Sequence, residues 1–317
     1  MKKVNYNIVF IRFLAIMIVM FGHSIIIYDP NWGLLTTNVT SNTLVFIKHI
    51  INSIQMPIWF TMAGFLYYFS LKKNKDIITV FKDKFKKLII PFLIIGLLYL
   101  IPIRYLVNYS NYVDYSIIYN IIHNLILGFD NGHLWYLPTL FFIFLLFNIY
   151  KDTNKYIDIV IFIILIYLNI LSNHFPTYIH HVSFYSLFFY LGIIINKYNL
   201  LSNLKSYYSV IILLILIIYN LFINNNLVLL LVQVITLLIL FKIDFTNLGK
   251  LKIINNISNN SYGMYLFHSP LVYIAFKFLP NINPILMIII NFILFGSISY
   301  FITYLIRKSN FKFIIGE

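Results

Sequence analysis

The chain has 317 residues, 61% of them hydrophobic and only 10% charged, with a mean hydropathy of +0.87. A soluble globular domain carries roughly 25% charged residues, so the composition excludes that class and indicates a polytopic membrane protein. The absence of cysteine excludes disulfides and thiolate metal sites; the net charge of +14 raises a nucleic-acid partner, which its distribution decides.

A helix needs about 20 mostly apolar residues to cross a bilayer. On that rule the chain reads as ten spans, at roughly 5–28, 44–70, 88–108, 134–150, 156–172, 183–196, 207–223, 226–241, 262–279 and 284–306. The stretch 115–128 (YSIIYNIIHNLILG) is too short to span and reads as an interfacial helix. No second domain, long linker or repeat stands out. The expected fold is all-α: one integral membrane domain over 1–317, with about ten transmembrane helices around a polar cavity. The Met1-Lys2-Lys3 start leads into an apolar run without a small-residue cleavage site, so it reads as a retained first span.

The basic residues orient the chain. With the N-terminus in the cytoplasm, the inner segments carry two, seven, two, two, three and three Lys or Arg, nineteen of the 23. The outer loops carry none, and Arg12, Lys48, Arg104 and Lys277 fall within spans or at their outer ends. The basic excess is thus a topology signal that puts both termini in the cytoplasm, and no nucleic-acid partner is expected. The Asn, Ile, Tyr and Lys bias fits AT-rich coding DNA and a bacterial cytoplasmic membrane.

The first span, IRFLAIMIVMFGHSIII from Ile11, carries Arg12 and His23. Eleven residues are about 3.06 helical turns and about 16 Å of rise, so the two share a stripe to within about 20°. Ionisable groups inside a span are costly in lipid and face the bundle interior or a wet cavity. Taken singly, Arg12 capping carbonyls and His23 bonding another helix are the plainer readings. On one stripe they are candidates for a site. Gly22 allows close approach beside His23.

The spacing Arg, ten residues, His resembles the first-helix signature of the acyltransferase-3 family of membrane acyltransferases. Other stretches resemble that family in the same order. MPIWFTMAGFLYYFS (56–70) is similar to its second-helix motif, with Ala63 where serine is usual. FKDKFKKLIIPF (81–92) is similar to its basic run ending in proline, with Lys84 and Lys87 at the two arginine positions. NGHLWYLPTLF (131–141) and ISNNSYGMYLFHSPLV (257–272) are similar to its later motifs. The short form of the chain resembles the fucose 4-O-acetylase-like branch.

The resemblance implies transfer of an acyl group, acetyl being expected, from cytoplasmic acetyl-CoA or another acyl-CoA to a hydroxyl of an exported or lipid-linked glycan. Lys84, Lys87 and Arg12 are then candidate contacts for the CoA phosphates, although lysine lacks the bidentate fork of arginine. A basic loop at 72–87 is also what topology alone requires. Histidine as a residue type titrates near neutrality, and His23 is the candidate general base or acyl carrier, with Arg12 on the same stripe. His133, Trp135 and Tyr136, at the outer start of the fourth helix, suit an acceptor sugar or an oxyanion, or an ordinary aromatic belt. His268 shares a face with Ser261 and Tyr265 and reads as cavity lining or as helix–helix hydrogen bonding. His180 and His181 read as an outer loop without metal-ligand spacing, and no metal is expected. Expected partners are the lipid bilayer, the acyl-CoA and the glycan, and the oligomeric state is left open. From other classes, a glycan transporter or export subunit lacks the matching broken helices of inverted repeats, and a non-catalytic assembly subunit is disfavoured by the presence of both Arg12 and His23.

Overall fold

A computed structural model describes residues 4–33, 35–73, 75–150, 153–200, 213, 217 and 225–317. Among them every regular element is helical and none is a strand. The expected seventh span, 207–223, lies outside the described residues apart from 213 and 217, as do Lys2, Lys3 and residues 151–152.

In chain order the main helices are α1 (Tyr6–Ser24), α2 (Asn42–Leu71), α3 (Ile77–Leu106), α4 (Ile117–Ile126), α5 (Gly132–Asn148), α6 (Lys155–Leu171), α7 (Thr177–Lys197), α8 (Asn226–Lys242), α9 (Lys252–Phe278) and α10 (Pro284–Lys308). Five are long and apolar enough to cross a membrane: α1, α3, α6 (extended by a turn to His174), α7 and α10. The remaining expected spans differ for physical reasons. Helices α5 and α8 stand where spans four and eight were placed but are short. Helices α2 and α9 are long but break their apolar runs with Lys48, His49 and Gln55, and with the Asn-rich turns of 255–260.

Three boundaries move towards the N-terminus. Helix α3 starts at Ile77, so Lys82, Lys84, Lys86 and Lys87 are helical rather than in a loop. Helix α9 starts at Lys252, ten residues before the expected 262. Helix α7 starts at Thr177, which places His180 and His181 on a helix instead of in an outer loop.

The chain divides into two compact units, Met1–Ala15 with Ser53–Val80 and Phe142–Asn255, and Ile16–Asn52 with Phe81–Phe141 and Asn256–Glu317. In the first, glycines bring α2 against α7. A Cβ on Gly64 would stand 1.8 Å from the Phe189 carbonyl oxygen, and one on Gly192 would stand 2.0 Å from that of Thr61. Small residues let helix backbones touch where lipid supplies no hydrophobic drive. Gly192→Val is therefore expected to lower stability by about 2 kcal/mol or more through overpacking, read as an earlier thermal melt of the purified protein. An unchanged melt would contradict this packing.

Also in the first unit, Asp158 is buried, 3% exposed, and accepts from Lys197 Nζ at 2.7 Å, from the Tyr150 and Tyr190 hydroxyls at 2.8 Å each, and from Tyr198 and Thr153.

Three prolines inside helices follow one pattern. A proline has no N–H to give the carbonyl four residues earlier, and an unfilled carbonyl is costly away from water. Pro57 leaves Ser53, whose oxygen accepts from Gln233 Nε2 at 2.7 Å. In the second unit Pro91 leaves Lys87, which accepts from the Tyr262 hydroxyl at 2.9 Å. Pro270 leaves Leu266, which accepts from His133 Nε2 at 3.0 Å. The last of these shapes the candidate site.

Candidate active site

The second unit holds a cavity of about 210 Å³ lined by residues that include His23, His133, Trp135, Trp32, Arg104 and Asp130. His23 comes from the outer end of α1 and His133 from the first turn of α5.

Hydrogen bonds to carbonyls assign the histidine tautomers, because a carbonyl only accepts. His268 Nδ1 lies 2.9 Å from the carbonyl oxygens of both Met264 and Tyr265, so it carries the proton. In the neutral ring, Nε2 of His268 is then an acceptor. It faces His23 Nδ1 at 2.8 Å, so His23 Nδ1 is the donor. That leaves the lone pair of His23 on Nε2. The two rings lie 10° apart in plane, with centroids at 4.9 Å. An imidazole held in this way can accept a proton from a hydroxyl, and the resulting imidazolium keeps its Nδ1–H bond to His268. Among the described residues no carboxylate bonds His23; its orienting partner is a second histidine, fixed in turn by backbone carbonyls.

His133 follows the same logic. Its Nε2–H serves Leu266, so Nδ1 is an acceptor, buried and without a partner among the described residues. The Tyr265 hydroxyl donates to the carbonyl of His133, and the His133 and His268 rings stand 5.8 Å apart, edge to face.

Of the residues singled out by sequence, His23, His133 and Trp135 line one cavity, and His268 stands directly behind His23. Tyr136 is buried against the Tyr265 ring at 5.6 Å and is not among the lining residues. Lys84 and Lys87 do not line this cavity either, and Lys87 is exposed. Arg12 is half-buried on α1 within the first unit. His180 Nδ1 bonds the Ser172 carbonyl at 2.9 Å.

Sequence reasoning passed over Trp32, Arg104, Tyr109, Asp130 and Tyr273. Arg104 had a signal: it is a lone arginine in an apolar segment. It is fully buried and donates through Nη1 to both the carbonyl and the carboxylate of Asp130 at 2.8 Å. Trp32 stacks on Tyr273 at 5.9 Å and 2°.

The loop after α1 is pinned by an ion pair between Asp29 and Lys48, both nearly buried. Burial opposes ionisation of Asp29. The Lys48 hydrogen bond, the Asn31 backbone N–H and the charges of Lys48 and His49 outweigh it and hold the carboxyl below its usual range. A carboxyl depressed on folding adds stability above its unfolded pKa of about 3.9, and that stability is lost as pH falls through the folded value. Asp29→Asn is thus expected to melt earlier than wild type at pH 7, with the gap closing below about pH 4. A gap independent of pH would contradict this.

Residues 5–308 match the acyltransferase-3 family, described as an acyltransferase domain. The chain belongs to that family and is a multi-pass membrane acyltransferase. No match to a curated protein or to a solved structure accompanies it.

Proposed function

We propose that the protein moves an acyl group, acetyl in the first instance, from cytoplasmic acyl-CoA to a hydroxyl of an exported or lipid-linked glycan, with His23 as general base. The observation that carries this reading is the tautomer chain, Met264 and Tyr265 carbonyls to His268 to His23, which presents the His23 Nε2 lone pair in a cavity. The acceptor hydroxyl gives its proton to His23 Nε2 while its oxygen attacks the thioester carbonyl. The carbon–sulfur bond then breaks, and the CoA thiolate takes the proton back. His268 acts as a positioning residue through its bond to His23. His133 Nδ1 offers a second acceptor for a sugar hydroxyl, and Trp32 and Trp135 offer faces for the ring.

The donor's phosphates need cations. Lys84 and Lys87 supply them in a basic segment that the charge asymmetry puts on the cytoplasmic side, in a reading with the N-terminus inside and ten spans in all; the composition suits a bacterial cytoplasmic membrane. Arg12, on the same helix as His23, is a further candidate for the CoA phosphates.

The test is transfer of label from acetyl-CoA or succinyl-CoA to glycan in membranes with and without the protein, alongside release of free CoA thiol. Base-labile label in the glycan, matched by CoA released, is the expected result. Glycan reaching the outer face without label or thiol release from either donor would overturn the reading in favour of transport.

A further inference from the structure

Arg104 lines the same cavity as His23 and His133, and its side chain has 0% relative exposure. Its Nη1 is committed to Asp130. Its Nε and Nη2 have no hydrogen-bond partner among the described residues, and neither has the hydroxyl of Tyr109, which lines the cavity as well. Nε–H and Nη2–H point along one edge of the guanidinium, the side edge that takes two oxygens of a planar oxyanion in parallel.

The surroundings hold this edge in place. The guanidinium carbon sits 4.4 Å from the Tyr109 ring centroid and 4.5 Å from that of Tyr112. Tyr112 donates its hydroxyl to the Asp130 carbonyl at 2.6 Å. Gly132 keeps the approach clear: a Cβ there would fall 2.7 Å from Nη2, and its φ of +56° suits glycine. Leaving buried donors unfilled costs about 1–3 kcal/mol each, more when they are charged. Such a cost is retained where a ligand relieves it.

We propose that the Nε/Nη2 edge of Arg104, with the Tyr109 hydroxyl, receives an oxyanion carried by the acceptor, a carboxylate or a phosphate, in the same cavity as His23. This rests on the acyl-transfer reading for the word acceptor; the binding itself does not. Asp130 already balances the charge of Arg104 and also takes Asn111 Nδ2 at 3.1 Å, so the oxyanion occupies the remaining edge. The pair is neutral as a whole, so selection comes from two aligned charged donors rather than from excess charge. A neutral sugar offers only hydroxyl oxygens and fills those donors less well.

Two of the chain's three tryptophans, Trp32 and Trp135, line the cavity and report occupancy by fluorescence. The full chain in lipid nanodiscs is titrated with glucuronate, glucose 1-phosphate and glucose. One or both anions are expected to bind about tenfold or more tighter than glucose, the scale of a charge-assisted hydrogen bond. Glucuronate alone would assign a carboxylate, and glucose 1-phosphate alone a phosphate. Arg104→Gln should erase the preference for the anions over glucose. If that variant fails to fold, Arg104→Lys keeps a charge beside Asp130 without the fork and should also lose it. Tyr109→Phe leaves the ion pair intact and should weaken anion binding several-fold.

Equal binding of all three sugars, no saturable binding of either anion, or a preference that survives in the Arg104 variants would overturn the proposal. A protein that prefers anions yet transfers no acyl group keeps this inference and removes the reaction instead.

Discussion

Asp158→Ala is expected to lower unfolding stability by about 3–5 kcal/mol, the cost of leaving a buried charge without its partner. Lys197 is only 8% exposed at its side chain, and Asp158 is the carboxylate it reaches, at 2.7 Å. Three tyrosine hydroxyls and Thr153 lose the same acceptor. Asp158→Asn keeps an oxygen for the hydroxyls but not the charge, so it should fall between wild type and alanine. Removing both charges, Asp158→Leu with Lys197→Met, should recover part of the loss, since a buried pair gains little over apolar packing. Denaturant unfolding in detergent reads all three. An alanine variant within about 0.5 kcal/mol of wild type would show that the cluster contributes nothing to stability.

His23→Ala is expected to cut acyl transfer by about 10²–10⁴-fold, the usual contribution of a general base, with the thermal melt unchanged to within a few degrees. His268→Ala should cost less. It removes the acceptor that holds the His23 ring in its tautomer but leaves the lone pair on one of the two nitrogens. The effect should fall on kcat more than on KM for the acyl-CoA, because neither group is placed on the donor's phosphates. CoA thiol release under saturating donor is the readout. A His268→Ala rate equal to wild type would detach the relay from catalysis.

The stripe on α1 was legible because a charge and an imidazole stand out in an apolar run, and the cost of burying them in lipid does not depend on what packs nearby. The pairing of His23 with His268 was not legible, since 245 residues separate them and no local period links them. His133 was singled out with Trp135 and Tyr136 as an acceptor-site or aromatic-belt residue. Its role as donor to Leu266 follows from Pro270, a rule that can be read from sequence only once α9 is known to continue through the proline.

Charge misled the reading at 72–87. Lysine is a good helix former, and long side chains let a charged turn sit at a membrane surface, so α3 begins before the basic run ends. Asparagines misled it at 255–260 in the same sense, since α9 also starts earlier than expected. Arg307 bonds Asn260 Oδ1 and the Asn259 carbonyl at 2.8 Å each, and this tertiary contact overrides their weak propensity. Arg104 lacked a visible partner, because Asp130 lies 26 residues on and beyond α4.

The central claim is that the oriented His23 lone pair carries out acyl transfer. Its most direct test is the incorporation of labelled acetyl from acetyl-CoA into glycan, in membranes carrying wild-type or His23→Ala protein at matched, folded levels. Label in the wild-type glycan as a base-labile ester, and a loss of about a hundredfold or more in the variant, is the predicted result. Equal labelling by the two proteins would contradict it.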